Sequence, residues 1–391
     1  MRHGRGLALF AVAAALGSGV LVGASQPQPD PSLARPIAAP AHPLPPEAAS
    51  ARVRRFSFIV YGDTRCENSR IPRLLPVRDG REIQQRHARL VDRMVTEVSR
   101  RARSRYPVRL AVQTGDAVMD GGTAQQWNVS YVPVVDRLTR EGDVPYYFAV
   151  GNHDVSYGAL GTPSRMAGLR NSLSALTRFL PQDPSPRRLQ GYPTYAIGYG
   201  NAFFLFLDSQ VPDDARQFAW VQAQLTSLDR RRFTNVFAVF HHPPFSSGRH
   251  GGRTLEPAPR VFRERYLPLF RAHRVRMTLT GHEHLLEHWV ERYEADGRST
   301  RMDHLVTGGG GAPTDVYTAE PDLTDYLAAN RPKRVTLEHL ARPGRTVAEN
   351  PDHFVVVTVD DDEVSIEAIA PDVPMFGPYG AGRVRLEDAT R

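Results

Sequence analysis

The chain has 391 residues, 41% of them hydrophobic and 23% charged, with a net charge of +7; this balance excludes a disordered chain or a multi-span membrane protein and fits a soluble globular fold. Lys333 is the only lysine and lies in Asn330-Arg331-Pro332-Lys333, which suits neither a Gly-Lys phosphate-binding loop nor a Schiff-base site, and Cys66 is the only cysteine, which excludes intrachain disulfides and cysteine-based metal centres. The positive excess is almost wholly arginine, and no basic run interleaved with aromatics marks a nucleic-acid surface, so specific nucleic-acid binding is not expected.

In chain order, Arg2 and Arg5 precede an apolar stretch from Leu7 to Val22, and Val22-Gly23-Ala24 has the small-x-small form of a cleavage site. Residues 1–24 therefore read as an export signal, placing the protein in a periplasm or outside the cell. The run is shorter than the ~20 residues of a spanning helix, so membrane contact is expected only if the segment is retained. Residues 25–51 are dense in Pro and Ala and read as an extended linker. One domain is expected over 52–372, with 373–391 as a tail.

Within that domain five short apolar, β-prone runs end in a turn that carries polar groups. They are Phe56 to Tyr61, Val108 to Thr114, Val144 to Val150, Val236 to Phe240 and Val275 to Thr280. Gly62-Asp63, Gly115-Asp116, Gly151-Asn152-His153-Asp154, His241-His242-Pro243-Pro244 and Gly281-His282-Glu283-His284 follow them. Between these runs lie helix-like stretches from Ile83 to Arg103, Ala124 to Arg140, Asp213 to Leu228 and Ala258 to His273. The alternation predicts an α/β fold of stacked sheets with outer helices, its polar groups gathered at the carboxyl ends of the strands.

Asp, Asn and neutral His are oxygen and nitrogen donors that suit Mn, Zn or Fe. Six of them (Asp63, Asp116, Asn152, His241, His282 and His284) are too many for one open catalytic ion but divide between two, with Asp116 as the bridge. His282 and His284, two residues apart, would leave an extended segment on one face and reach one ion each. Two such divalent or trivalent ions would clamp an in-line displacement at phosphorus and turn a bridging water into the attacking hydroxide. His153 is placed to protonate the leaving oxygen, and Asp154 to orient its ring.

These blocks, in this order, resemble the calcineurin-like metallophosphoesterases, which include the purple acid phosphatases. The resemblance spans roughly Arg52 to Asp372 and implies a single-domain, two-sheet β-sandwich with flanking helices, αββα. It implies Asp63, Asp116 and His284 for a first metal, Asp116, Asn152, His241 and His282 for a second, and a phosphoester as substrate, monoester or diester being undecided. Gly308 to Gly311 looks like the family's late glycine-rich stretch, and a last hairpin, Phe354 to Val359 and Val364 to Ile369, would close a sheet edge.

One departure stands out: Arg65 occupies the place of a usual histidine ligand, and Met119 the place where purple acid phosphatases supply a tyrosine. Arginine cannot bind a metal, so solvent or a side chain such as Gln113 would complete the first site. Arg65 itself either turns its fork to the substrate phosphate or pairs with a ligand carboxylate. The rival reading is a non-catalytic phosphate- or anion-binding protein with a degenerate first site. His242 reads as structural because neighbours on a strand face opposite ways. His250 reads as a residue of a flexible loop, and Cys66 as a passive thiol.

Overall fold

The computed structural model describes residues 1, 32–65, 84–155, 161–252, 254–373, 376–379 and 383–386. Its strands in chain order are β1 (Arg55–Tyr61), β2 (Val108–Gln113), β3 (Tyr146–Phe148), β4 (Tyr195–Tyr199), β5 (Ala202–Phe206), β6 (Asn235–Val239) and β7 (Met277–Thr280). They continue with β8 (Leu286–Ala295), β9 (Arg298–Thr307), β10 (Thr336–Ala341), β11 (Phe354–Asp360), β12 (Glu363–Ile369) and β13 (Arg383–Leu386). One sheet has the order β13-β12-β11-β1-β2-β3 and the other β10-β8-β9-β7-β6-β5-β4. β1, β2 and β3 run parallel in the first, as do β5, β6, β7 and β9 in the second.

The five expected strands form, and the central ones are apolar throughout because both of their faces are covered. Phe56 to Tyr61 are all buried. Phe58 of β1 meets Phe204 of β5 and Phe237 of β6 edge-on at 5.0 and 5.1 Å, which joins the two sheets face to face. Helix Gln85–Arg101 and helix Val132–Glu141 pack Leu90, Val91, Met94, Val135 and Leu138 into the same core. Behind the second sheet, Phe240 stacks on Phe262 at 4.2 Å, within a second cluster that includes Tyr266 and Phe270. The αββα sandwich expected from the sequence is the observed architecture.

Two expected helices carry a π-wound turn, Trp127–Tyr131 and Phe262–Tyr266. Each directly precedes a turn containing Pro133 or Pro268. Proline offers no N–H to the ladder and crowds the carbonyl four residues back, and a wider turn relieves both defects. Helix Pro163–Leu176 was not expected. Several of its buried positions are Gly168, Asn171, Ser172 and Ala175, so it shows no apolar period to read.

Three boundaries need correction. Residues 32–51 are not a free linker: Ala34, Ile37 and Ala38 are buried, and Ile37 N–H donates to the Ala175 carbonyl at 3.0 Å. Asn171 Oδ1 accepts from Ala34 N and Asp136 Oδ1 from Ala38 N, so a proline-rich segment that has few backbone donors is held by side chains of the domain. The C-terminal residues are not wholly a tail, since β13 pairs with β12 and buries Leu386. The last hairpin consequently lies inside the sheet, with β11 against β1 and β13 outside β12. The segment expected to be an export signal and Cys66 lie outside the described residues. Among the described residues no helix is long and apolar enough to cross a membrane.

One buried group sets an acid limit to stability. His87 is fully buried, its ring stacked on Tyr131 and its Nε2 3.2 Å from the Tyr61 hydroxyl. Burial pushes it from 6.5 down to about 3. Below pH 6.5 the unfolded chain takes up a proton that the folded chain refuses, so stability falls as pH drops toward 3. Between pH 6.5 and 4.5 the loss from this residue is about 2 kcal/mol. Urea unfolding of His87→Gln at both pH values should show that much less acid sensitivity than the natural chain.

Candidate metal centre

The polar turns converge at the carboxyl ends of parallel strands from both sheets. Asp63 follows β1, Asp116 follows β2 and Asn152 lies beyond β3, while His241 follows β6 and His282 and His284 follow β7. Asp63, Asp116 and His282 hold left-handed backbone at φ 61°, 53° and 70°. Such positions are costly for side-chain-bearing residues and mark sites that the surroundings over-determine. The turns are tied to one another: Asp63 N–H donates to the Gly115 carbonyl at 2.9 Å, and Thr64 N–H to the Asp116 carbonyl at 3.0 Å.

Carboxylate and imidazole atoms of Asp63, Asp116 and His241 lie within 4.8 Å of one another. His241 Nδ1 donates to the Thr114 carbonyl at 2.9 Å, which directs Nε2 toward Asn152 Oδ1 at 3.0 Å and Asp116 Oδ1 at 3.4 Å. His282 Nδ1 is 3.3 Å from His241 Nε2. His284 Nδ1 donates to the Pro313 carbonyl and its Nε2 faces Asp63 Oδ1 at 3.5 Å. All six candidate ligands are therefore brought together, with His282 on the Asn152 side and His284 on the Asp63 side. The means differ from the extended segment expected, because residues 281–285 form a turn in which Glu283 N–H bonds the Gly281 carbonyl.

Burial alone would raise Asp116, but His241 and His153 outweigh it and hold its carboxyl well below the usual range. Burial alone would lower His241, yet Asp116 and Asp63 push it up to about 9. The packing also leaves room for these donors: a Cβ on Gly151 would stand 2.2 Å from Asp116 Oδ1, and one on Gly281 2.3 Å from Asp63 Oδ2. The donor set, all oxygen and imidazole nitrogen, fits transition-metal ions. Asn152, His241 and His282 gather on one side of Asp116, and Asp63 with His284 on the other.

Other expected residues are placed differently. Asp154 does not touch the His153 ring. Its Oδ1 accepts from Ala117 N at 2.9 Å and its Oδ2 from Gly151 N at 2.8 Å, so it clamps two ligand turns together. Burial beside Asp116 pushes it up to about 8. The Met119 carbonyl takes over the orienting role, 2.9 Å from His153 Nδ1, and His153 Nε2 stands 3.9 Å from Asp116 Oδ2. Gln113 is spent elsewhere: its Oε1 accepts from the Tyr131 and Tyr146 hydroxyls and its Nε2 bonds Thr64 Oγ1 at 3.0 Å. Arg65 is largely buried, with Nε 3.6 Å from Asp116 Oδ2 and Nη1 3.4 Å from Met119 Sδ. Of its two readings the geometry shows the carboxylate pair.

Of three neighbours of the centre, His242 and His250 are placed differently from their sequence reading and Glu256 went unread. His242 does face the centre's rim, its ring 4.3 Å from that of His282 and its Nδ1 2.9 Å from Ser209 Oγ. The neighbouring-strand rule fails here because His241 lies just past the end of β6. His250 is not on a loose loop, since Glu283 Oε1 accepts from its N–H at 2.6 Å and Glu287 Oε1 from Ser247 N at 2.8 Å. Glu256 reaches both His250 and His282, and nothing in Leu255-Glu256-Pro257 signals it.

The family model described as calcineurin-like phosphoesterase matches residues 57–286. No match was found among curated protein sequences. Among solved structures, a purple acid phosphatase from yellow lupin (Lupinus luteus) seeds is similar with a TM-score of 0.56 and 14% identity, covering 83% of this chain and 53% of that one. This chain thus spans about half the length of the lupin enzyme. A protein titled GAP50, the anchor in the inner membrane complex of Plasmodium, is similar with a TM-score of 0.51 and 12% identity, covering 87% of this chain and 90% of its own. At these identities the likeness is one of fold.

Proposed function

Because the chain belongs to the calcineurin-like phosphoesterase family, we propose that it hydrolyses phosphoesters with a dinuclear metal centre held by Asp63, Asp116, Asn152, His241, His282 and His284. The observation that carries this reading is the convergence of two buried carboxylates, an amide and three imidazoles beside His153. Bound ions would supply Lewis acidity at the phosphoryl oxygens and ionise water near neutral pH. Asp116 would be the ligand shared by both ions, and Asp154 keeps the Asp116 and Asn152 turns in register. His153 donates its Nδ1–H in a hydrogen bond to the Met119 carbonyl, which leaves Nε2 facing the cluster to carry a proton to the leaving oxygen.

Arg65 stands against Asp116 and Met119 at the centre, and we assign its guanidinium a second role in neutralising the substrate's phosphoryl oxygens. Arg65→His should tighten metal binding at that position and raise KM for a phosphomonoester about tenfold, the worth of one charge-assisted contact. Unchanged KM with tighter metal would remove the phosphate role and leave Arg65 as a counter-ion of Asp116.

Metal analysis of the purified chain, coupled to hydrolysis of p-nitrophenyl phosphate and its bis ester with Mn, Zn or Fe, tests the function. Fold alone does not separate an enzyme from a binding protein, since one of the two similar structures is a phosphatase and the other is titled an anchor. Turnover of neither ester with any metal would favour the phosphate-binding alternative. We also read residues 1–24 as an export signal, which N-terminal mass analysis of the mature protein decides.

A further inference from the structure

Glu256 stands just before helix Pro257–Val261, and its side chain is about a quarter exposed. Its two oxygens are both engaged, Oε2 at 3.0 Å from His282 Nε2 and Oε1 at 2.9 Å from His250 Nδ1. The rings of His250 and His282 are 4.4 Å apart. A neutral imidazole carries one N–H and one lone pair, and a carboxylate only accepts. Glu256 must therefore take the Nε2–H of His282, which leaves the lone pair on Nδ1. That atom is the one 3.3 Å from His241 Nε2, on the side of Asp116 and Asn152.

His242, Glu256 and His282 also lie close enough to hold a cation among themselves. An ion there would have to take His282 Nε2 while Nδ1 serves the Asp116 side, which requires a fully deprotonated imidazolate. A ligand and its supporting carboxylate account for the same contacts without that cost. The backbone around His250 is already pinned by Glu283 and Glu287, so what the Glu256 bond adds is to fix the ring.

We propose that Glu256 is a positioning residue: through one carboxylate it sets the tautomer of His282 for metal binding at Nδ1 and holds the His250 ring against the same histidine. The inference rests on reading the Asp116 cluster as a metal centre. A carboxylate behind a metal-bound histidine raises the basicity of the ligand and fixes its ring, and losing one costs 10- to 100-fold in metal affinity. Glutamine keeps a carbonyl acceptor for one ring, so E256Q should lose less than E256A.

The test is a Co(II) titration of the full chain against a competing chelator, following the visible ligand-field bands, for the natural protein, E256A and E256Q. Two equivalents should bind in all three. One of them should weaken 10- to 100-fold in E256A with altered bands, and E256Q should fall between. Equal thermal unfolding of the metal-free chains would show that the loss is not one of folding; if E256A fails to fold, E256Q carries the comparison against the natural chain. Unchanged affinity and bands in both variants would overturn the proposal, as would loss of a third equivalent with the other two intact. A chain that binds Co(II) as described but hydrolyses no phosphoester would reject the catalytic reading and keep the role of Glu256.

Discussion

Asp116→Asn should lower kcat/KM for phosphoesters about 10³-fold and deplete the purified protein of metal. On the proposed division of ligands Asp116 would be the donor shared by both metal positions, so its loss would weaken each. Removing several kcal/mol of charge stabilisation at phosphorus corresponds to about three decades in rate. Asparagine preserves the shape and the acceptor that takes the His153 N–H at 2.9 Å. It removes only the negative charge, which raises the pKa of His241 and would help hold an ion. Metal per chain by elemental analysis, together with the far-UV spectrum, separates this outcome from unfolding. Full metal content and activity in the Asp116→Asn variant would rule out Asp116 as the bridge.

His153→Gln is expected to lower kcat by 10² to 10⁴ on an alkyl phosphate, and much less on p-nitrophenyl phosphate, while metal content is unchanged. The range is that of a positioned general acid, and the contrast between substrates comes from leaving-group chemistry, since p-nitrophenolate departs without a proton and an alkoxide does not. His153 is partly exposed, 23% at the side chain, and touches the cluster through a 3.9 Å approach to Asp116. Its substitution should therefore spare the ions. Equal losses on both substrates would indicate that His153 binds the phosphate and does not deliver the proton.

Much of the fold was legible because the sandwich is written in short apolar runs. Each of the five ligand-bearing strands sits within a residue or two of its expected span, and the polar groups after them meet in space. What escaped notice lacked periodicity: helix Pro163–Leu176 buries small and polar residues, and β13 is a four-residue edge strand. Composition misled at residues 32–51, where prolines suggested a tether although Ile37 and its neighbours are anchored by Asn171 and Asp136. In the site, residue types identified donors, but spacing along the chain could not reveal partners brought in by tertiary packing. Asp154 turned from ring orienter into a clamp between loops, Gln113 was taken by a tyrosine network, and Glu256 arrived from a separate helix start.

The candidate donors divide evenly between the two layers, with Asp63, Asp116 and Asn152 on turns of the first sheet and His241, His282 and His284 on turns of the second. Ions in the centre would therefore be a chelate across the seam of the sandwich, closed only when both sheets are already in place. Loading the site would reward correct docking of the halves, and a chain starved of metal would lose cohesion between the two sets of turns as well as chemistry among them.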